Sequence, residues 1–185
     1  MDELLQYLQI EDYEESEFEQ ILNKKITITE NHIHNISWEH CDFNIINLFE
    51  KYGFVFTNDI FIILLNKDGF MIRYIPDDKK TDELYKIAIQ KHGLALQFIS
   101  EDKKTDELCK IAVRLNGNVL RFVPEDKKTD ALCKIAVQQT GTALQFVPED
   151  KKTDELCKIA VRQSKYNWKH VSKFFSNDEF SKTPI

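Results

Sequence analysis

The chain of 185 residues is 42% apolar and 30% charged, with 25 Lys and Arg against 31 Asp and Glu and a formal charge of −6. That apolar share argues for a globular chain over a disordered one, and only 5 Gly and 4 Pro exclude a collagenous or linker-like one. The longest apolar run, residues 60–65, is far below the roughly 18 residues of a membrane span, and the start lacks the basic and apolar parts of a signal peptide; with four Cys, the expectation is an intracellular, reducing compartment and no membrane partner.

In chain order, residues 2–10 and 14–22 read as two short helices, followed by an irregular stretch over 26–36. Residues 1–44 therefore make an acidic N-terminal cap or docking subdomain. Its charge is the strongest asymmetry in the sequence: residues 1–68 hold 14 acidic and 4 basic side chains, concentrated at 11–19. If charge steers a partner, a basic one should meet this end.

From residue 45 to 164 the chain repeats with a period of 24. Units start near residues 45, 69, 93, 117 and 141, and those opening at Gly93 and Gly141 agree at 19 of 24 positions. The first unit is the faintest. There Thr57, Ile60, Phe61, Ile63 and Leu64 fall in step with Thr81, Leu84, Tyr85, Ile87 and Ala88. A fixed period of this kind signals a repeat architecture, in which one unit cannot bury its own apolar face and stacking completes the core.

Within a unit, residues 105–116 carry apolar side chains at Leu108, Cys109, Ile111, Ala112 and Val113, the spacing of a helix with a broad buried face. Thr105 is placed to cap its start, Asp106 and Glu107 sit where the helix dipole favours carboxylates, and Gly117 stands where a left-handed C-cap is expected. The shorter segment 94–99 fits either a helix or a strand. Pro76, Pro124 and Pro148, with Ser100 in register, would end it and start a turn through the recurrent Glu-Asp-Lys-Lys sequence.

Two architectures remain: an all-α solenoid of 24-residue helical hairpins, or a leucine-rich-repeat-like α/β horseshoe. The solenoid is favoured, because the first alternating position of the short segment is Phe70, Leu94, Asn118 and Thr142, and a buried strand ladder should not accept Asn and Thr. Residues 165–185 then form a C-terminal capping helix and a frayed tail, with Trp168 and Val171 still in step.

The Gly-x-Ala-Leu-Gln-Phe start followed by Lys-Thr-Asp-Glu-Leu-Cys-Lys-Ile-Ala-Val resembles a short helical repeat family of unknown function. That family is abundant in giant amoeba viruses of the mimivirus kind and also occurs in Legionella-type bacteria. The resemblance covers residues 69–164, and 45–175 more loosely. It implies a helical, host-interacting repeat protein in host cytoplasm or virion, from a family with no established activity. The 21 Lys against 4 Arg are compatible with an A+T-rich genome.

Candidate sites are few. His32, His34, His40 and Cys41 form a weak metal cluster without a strong zinc spacing, so neither metal nor cofactor is expected. Cys109, Cys133 and Cys157 recur, but stacked helices lie about 8–10 Å apart and a disulfide needs Cα atoms within about 7 Å. They read as buried thiols. The Glu-Asp-Lys-Lys turns at 77–80, 101–104, 125–128 and 149–152 read as a solvated ridge of paired charges, or a repetitive docking ridge.

Residues 69–164 carry 17 basic and 15 acidic side chains with signs interleaved, which argues against nucleic acid as partner. No phosphate loop, nucleophile elbow or His-Glu-x-x-His helix occurs, and identical units would supply any catalytic residue in multiple copies. The expected function is a non-enzymatic protein-binding module. Its partner would be read by positions that differ between copies: Leu94, Asn118 and Thr142, and Leu115, Gln139 and Gln163. The alternative is a structural protein that assembles with itself; an enzyme using the N-terminal His/Cys cluster ranks below both.

Overall fold

Among the described residues five helices of equal length set the frame. The computed structural model describes residues 50–163, apart from Tyr52 and Phe54. The helices are α1 (Asn58–Lys67), α2 (Asp82–Lys91), α3 (Asp106–Leu115), α4 (Asp130–Gln139) and α5 (Asp154–Gln163). Between them lie glycine-led 3-10 helices, Gly69–Arg73, Gly93–Phe98, Gly117–Phe122 and Gly141–Phe146. Each is followed by a single 3-10 turn, at Asp77–Lys79, Glu101–Lys103, Glu125–Lys127 and Glu149–Lys151. No strand occurs among the described residues. The described residues form an all-α repeat solenoid, which excludes the horseshoe alternative for the array. The short arm of each hairpin is 3-10 rather than α-helical, which suits a segment of only five or six residues.

Each helix starts for a reason visible in the sequence. Thr57, Thr81, Thr105, Thr129 and Thr153 accept the backbone N–H three residues on, at 3.2–3.5 Å. This satisfies one of the donors a helix start leaves unpaired. Two acids follow in the first turn of α2, α3 and α5, as in Asp82 and Glu83, and one in α1 (Asp59) and α4 (Asp130), as the dipole favours.

The helices form one layer, each packing on the next, and the 3-10 segments form a second layer that stacks the same way. Helices α2 to α5 each touch the 3-10 segment before them, and α1 to α4 the one after. The core lies between the layers. In α3 it takes Leu108, Cys109, Ala112 and Val113; in the next 3-10 segment it takes Val119 and Leu120, with Val123 just beyond. These positions repeat in every unit, so one continuous apolar seam runs along the array. Burying each such Leu or Val contributes about 1.5–3 kcal/mol relative to exposure.

The glycine reading needs correction. Asn116, the C-cap of α3, is extended (φ −153°, ψ 111°), and among the described residues the only glycine with positive φ is Gly53. Gly117 is therefore no left-handed cap. Glycine is required there by close approach: a Cβ on Gly117 would lie 2.1 Å from the carbonyl oxygen of Ala136 in α4. Gly69 meets the Ala88 carbonyl in the same way at 2.3 Å.

Candidate interaction surface

Two rows of copy-specific residues were expected to face a partner, and the fold brings them to one edge. Leu94, Asn118 and Thr142 each follow the glycine that opens a unit, while Leu115, Gln139 and Gln163 end the helices of the same units. The Leu115 Cβ lies against Gly93, 3.2 Å from where a Cβ on that glycine would be, and the Gly141 N–H donates to Gln163 Oε1 at 2.5 Å. Leu115 is 51% exposed, a large apolar side chain facing solvent. Gln163 is already engaged. Its amide also donates to the Val137 and Gln138 carbonyls at 3.1 and 2.7 Å, closing the C-terminal end of α4. The Thr142 hydroxyl donates to Asn118 Oδ1 at 3.0 Å across two units. His32, His34, His40 and Cys41 lie outside the described residues, as do the acidic segment 11–19 and residues 165–185.

The residues that cap the unit joints form a third row, Asp68, His92, Asn116 and Thr140. Asp68 Oδ1 accepts the Phe70 N–H at 2.9 Å and lies 2.8 Å from His92 Nδ1, which is itself 3.2 Å from the Gly69 nitrogen. The His92 ring stacks on Phe70 at 4.7 Å. Phe70 in turn meets Phe98 edge-on at 6.0 Å. Beside these rings is an open cleft of about 330 Å³ lined by Asp68, Phe70, Met71, Arg73, Tyr74, Gln97 and Phe98.

The Glu-Asp-Lys-Lys turns depart from a simple solvated ridge. The second lysine of each is tucked in: the side chains of Lys80, Lys128 and Lys152 are 7–8% exposed and pair with the acid three residues back at 2.5–2.7 Å. Lys104, also buried, donates instead to the Phe122 carbonyl of the next unit at 2.8 Å. Their aliphatic stems cover the core edge while the ammonium finds an oxygen, as long side chains do at an interface. The first lysine can tie neighbouring units together, as in Lys127 to Asp106 at 3.2 Å and Lys151 to the Lys128 carbonyl at 2.5 Å. The helix lysines do the same: Lys86 pairs with Glu107 at 2.9 Å and Lys134 with Glu155 at 2.8 Å. The Lys134 hydrogen bond holds the Glu155 carboxyl below its ordinary range.

Cys109, Cys133 and Cys157 are free and fully buried. Burial pushes all three thiols up, the state of an inert packing residue. Among the described residues no group of three His, Cys, Asp or Glu side chains could hold a metal ion.

One surface escaped the sequence reading. Residues 69–75, 93–99, 117–123 and 141–147 contain no acid; their only charges are Arg73 and Arg121. Arg73, Gln97, Arg121 and Gln145 are exposed in their 3-10 helices, as is Thr142 in the last, and beside them stand Tyr74, Phe98, Phe122 and Phe146. Two of the 17 basic residues of 69–164 therefore stand apart from the acids, while the other 15 share the helices and turns with them. Acids occupy the helices and turns, while the outer face of the 3-10 layer is acid-free. The signal was in the register: the first seven positions of all four units lack Asp and Glu.

Known proteins add one likeness. Residues 58–102 and again 81–126 are similar to a family described as a domain of unknown function, DUF4116. Each match spans just under two units, and the second is displaced along the chain by about one. No curated protein and no solved structure matches the chain. Among the described residues no helix is long and apolar enough to cross a membrane.

Proposed function

We propose that the chain is a non-enzymatic repeat module that binds a protein partner, with a uniform interior serving as scaffold and copy-specific surface positions serving as the reader. The observation that carries this reading is the division of labour within each unit. The buried positions Leu108, Ala112 and Leu120 have Leu, Ala and Leu again in the next copy, whereas the edge changes from half-buried Leu94 and Asn118 to exposed Thr142, and at exposed positions from Leu115 to Gln139 to Gln163. Resemblance to repeats of giant amoeba viruses favours a host protein as the partner, met in a reducing compartment where the free thiols stay reduced. The acidic segment 11–19 would add steering toward a basic patch on that partner.

Affinity capture from the native cell tests the reading. The expected result is a stoichiometric partner that is lost when Leu94, Leu115 and Asn118 are exchanged for the residues of another copy. Retention of no partner under any salt condition would sink it. Self-assembly is the second reading, favoured by the near-identity of the units. Light scattering separates the two, since a strict monomer at high concentration counts against assembly.

A further inference from the structure

Resting on the protein-binding reading, we infer that the outer face of the 3-10 layer is the reader and that its ligand is an extended acidic peptide carrying apolar side chains beside its carboxylates. Three observations converge on this chemistry. The first is charge: across four units the face holds Arg73 and Arg121 and no acid. Its rim residue Asp68 is engaged by the Phe70 N–H and faces His92. The second is the choice of cation. Among the described residues the cation of each ion pair is a lysine, and none of the four arginines has a carboxylate partner.

Arg73 and Arg121 are instead laid over the aromatic rings of their neighbours, 4.4 Å from Tyr74 and 4.5 Å from Phe122. The Arg73 guanidinium also donates from Nη2 to the Tyr74 hydroxyl, and the remaining N–H groups of Arg73 and those of Arg121 can meet a carboxylate. The third observation is shape. The cleft between the units opening at Gly69 and Gly93 is walled by Phe70, Met71, Tyr74 and Phe98, with Arg73 and Gln97 also in its lining and Asp68, whose carboxylate accepts the Phe70 N–H, as its one acid. It has room for an apolar side chain next to a carboxylate.

The spacing adds a specificity. Arg73 and Arg121 occupy the same register position two units apart. At about 8–10 Å per stacked element their separation is roughly 16–20 Å, which about five or six residues of extended chain cover at ~3.3 Å each. Gln97 lies between them, and Asn118 and Thr142 continue the polar track. A single nucleic-acid strand fits less well. It would meet two cations over four units, too few to follow its phosphates, and rings held half-buried in the seam are poor stacking platforms.

The test uses the full chain and a fluorescein-labelled peptide with two Glu-Phe pairs six residues apart in a Gly/Ser background, read by anisotropy. Binding should weaken with added salt, and Arg73→Gln or Arg121→Gln should each weaken it about tenfold. The double variant should abolish it while leaving the urea midpoint unchanged. A peptide with the two pairs adjacent should bind more weakly and ignore Arg121→Gln. No binding by the wild type, equal binding by the double variant, or tighter arginine-dependent binding of oligo-dT each overturns the inference. A native partner captured equally by wild type and double variant also overturns it while sparing the module reading; no captured partner at all fells the module reading itself.

Discussion

Gly117 packs directly beneath the carbonyl of Ala136, so closely that a Cβ on the glycine would sit 2.1 Å from that oxygen. The contact closes the hairpin of one unit, because the glycine opens its 3-10 arm and the alanine lies in its helix. At Gly93 the same contact is looser, 3.0 Å to the Ala112 oxygen. The two sites therefore predict a graded result. Gly117→Ala should destabilise by about 1–3 kcal/mol or more, since backbone must move. Gly93→Ala should cost clearly less, because relief of a few tenths of an ångström suffices. Urea midpoints of the two variants decide it; equal midpoints would mean that the close approach is not what selects glycine.

The alanine partner makes a second prediction. Ala88, Ala112, Ala136 and Ala160 are fully buried, each set between apolar neighbours of its own and adjacent units. Ala112→Leu inserts three carbons into that seam and should cost about 1–3 kcal/mol. Ala112→Gly should cost about 1 kcal/mol through backbone freedom alone. A larger loss for the leucine than for the glycine identifies packing as the cause.

Much of this architecture was legible from the period of 24. The helix positions, the Thr caps and the buried cysteines follow from local chemistry repeated in register, and local chemistry is what a sequence states most directly. Gly117 was misread because a glycine after a helix ordinarily signals a left-handed cap, and only the neighbouring backbone reveals a steric need. The tucked lysines were hidden for a related reason. Lys104 and Lys128 look like any exposed Lys in a charged run, and their burial depends on a carbonyl or carboxylate that the fold delivers. The acid-free face needed the two layers: Arg121 and Glu125 are four residues apart in sequence, yet one belongs to the 3-10 arm and the other to the turn beyond it.

Ala131 marks a missing rung in the ladder of cross-unit pairs. Lys86 meets Glu107 and Lys134 meets Glu155, but the residue in step for Lys110 is Ala131. Among the described residues Lys110 has no acidic partner. Ala131→Glu should create one, with a coupling to Lys110 of about 0.2–1 kcal/mol in a double-mutant cycle with Lys110→Ala. The pH dependence has a fixed sign. A carboxyl held low by its lysine, as Glu155 is by Lys134, lends stability that is present above the unfolded carboxylate value and fades as pH falls through the lower folded one. Lys134→Ala should move the Glu155 titration back up, and in Ala131→Glu the new carboxyl should titrate below the ordinary range; NMR titration reads both.

The thiols of Cys109, Cys133 and Cys157 lie within the seam, and desolvation raises all three. For Cys109 and Cys133 nearby lysines, Lys127 and Lys151 first among them, oppose the rise without overcoming it. A thiolate there would need the seam to open, so native protein at neutral pH should react with a thiol reagent only as fast as it opens. Stability follows the same logic with the opposite sign to the carboxyl case. The folded state holds these protons more tightly, so the stabilisation is complete below the unfolded thiol value, about 8.5. It is lost as pH rises through the higher folded values. Replacing all three by Ala removes the alkaline loss but leaves cavities costing stability at every pH. Urea midpoints of wild type and triple variant should therefore converge as pH climbs from neutral to above 9. Parallel curves would mean the thiols do not set the alkaline limit.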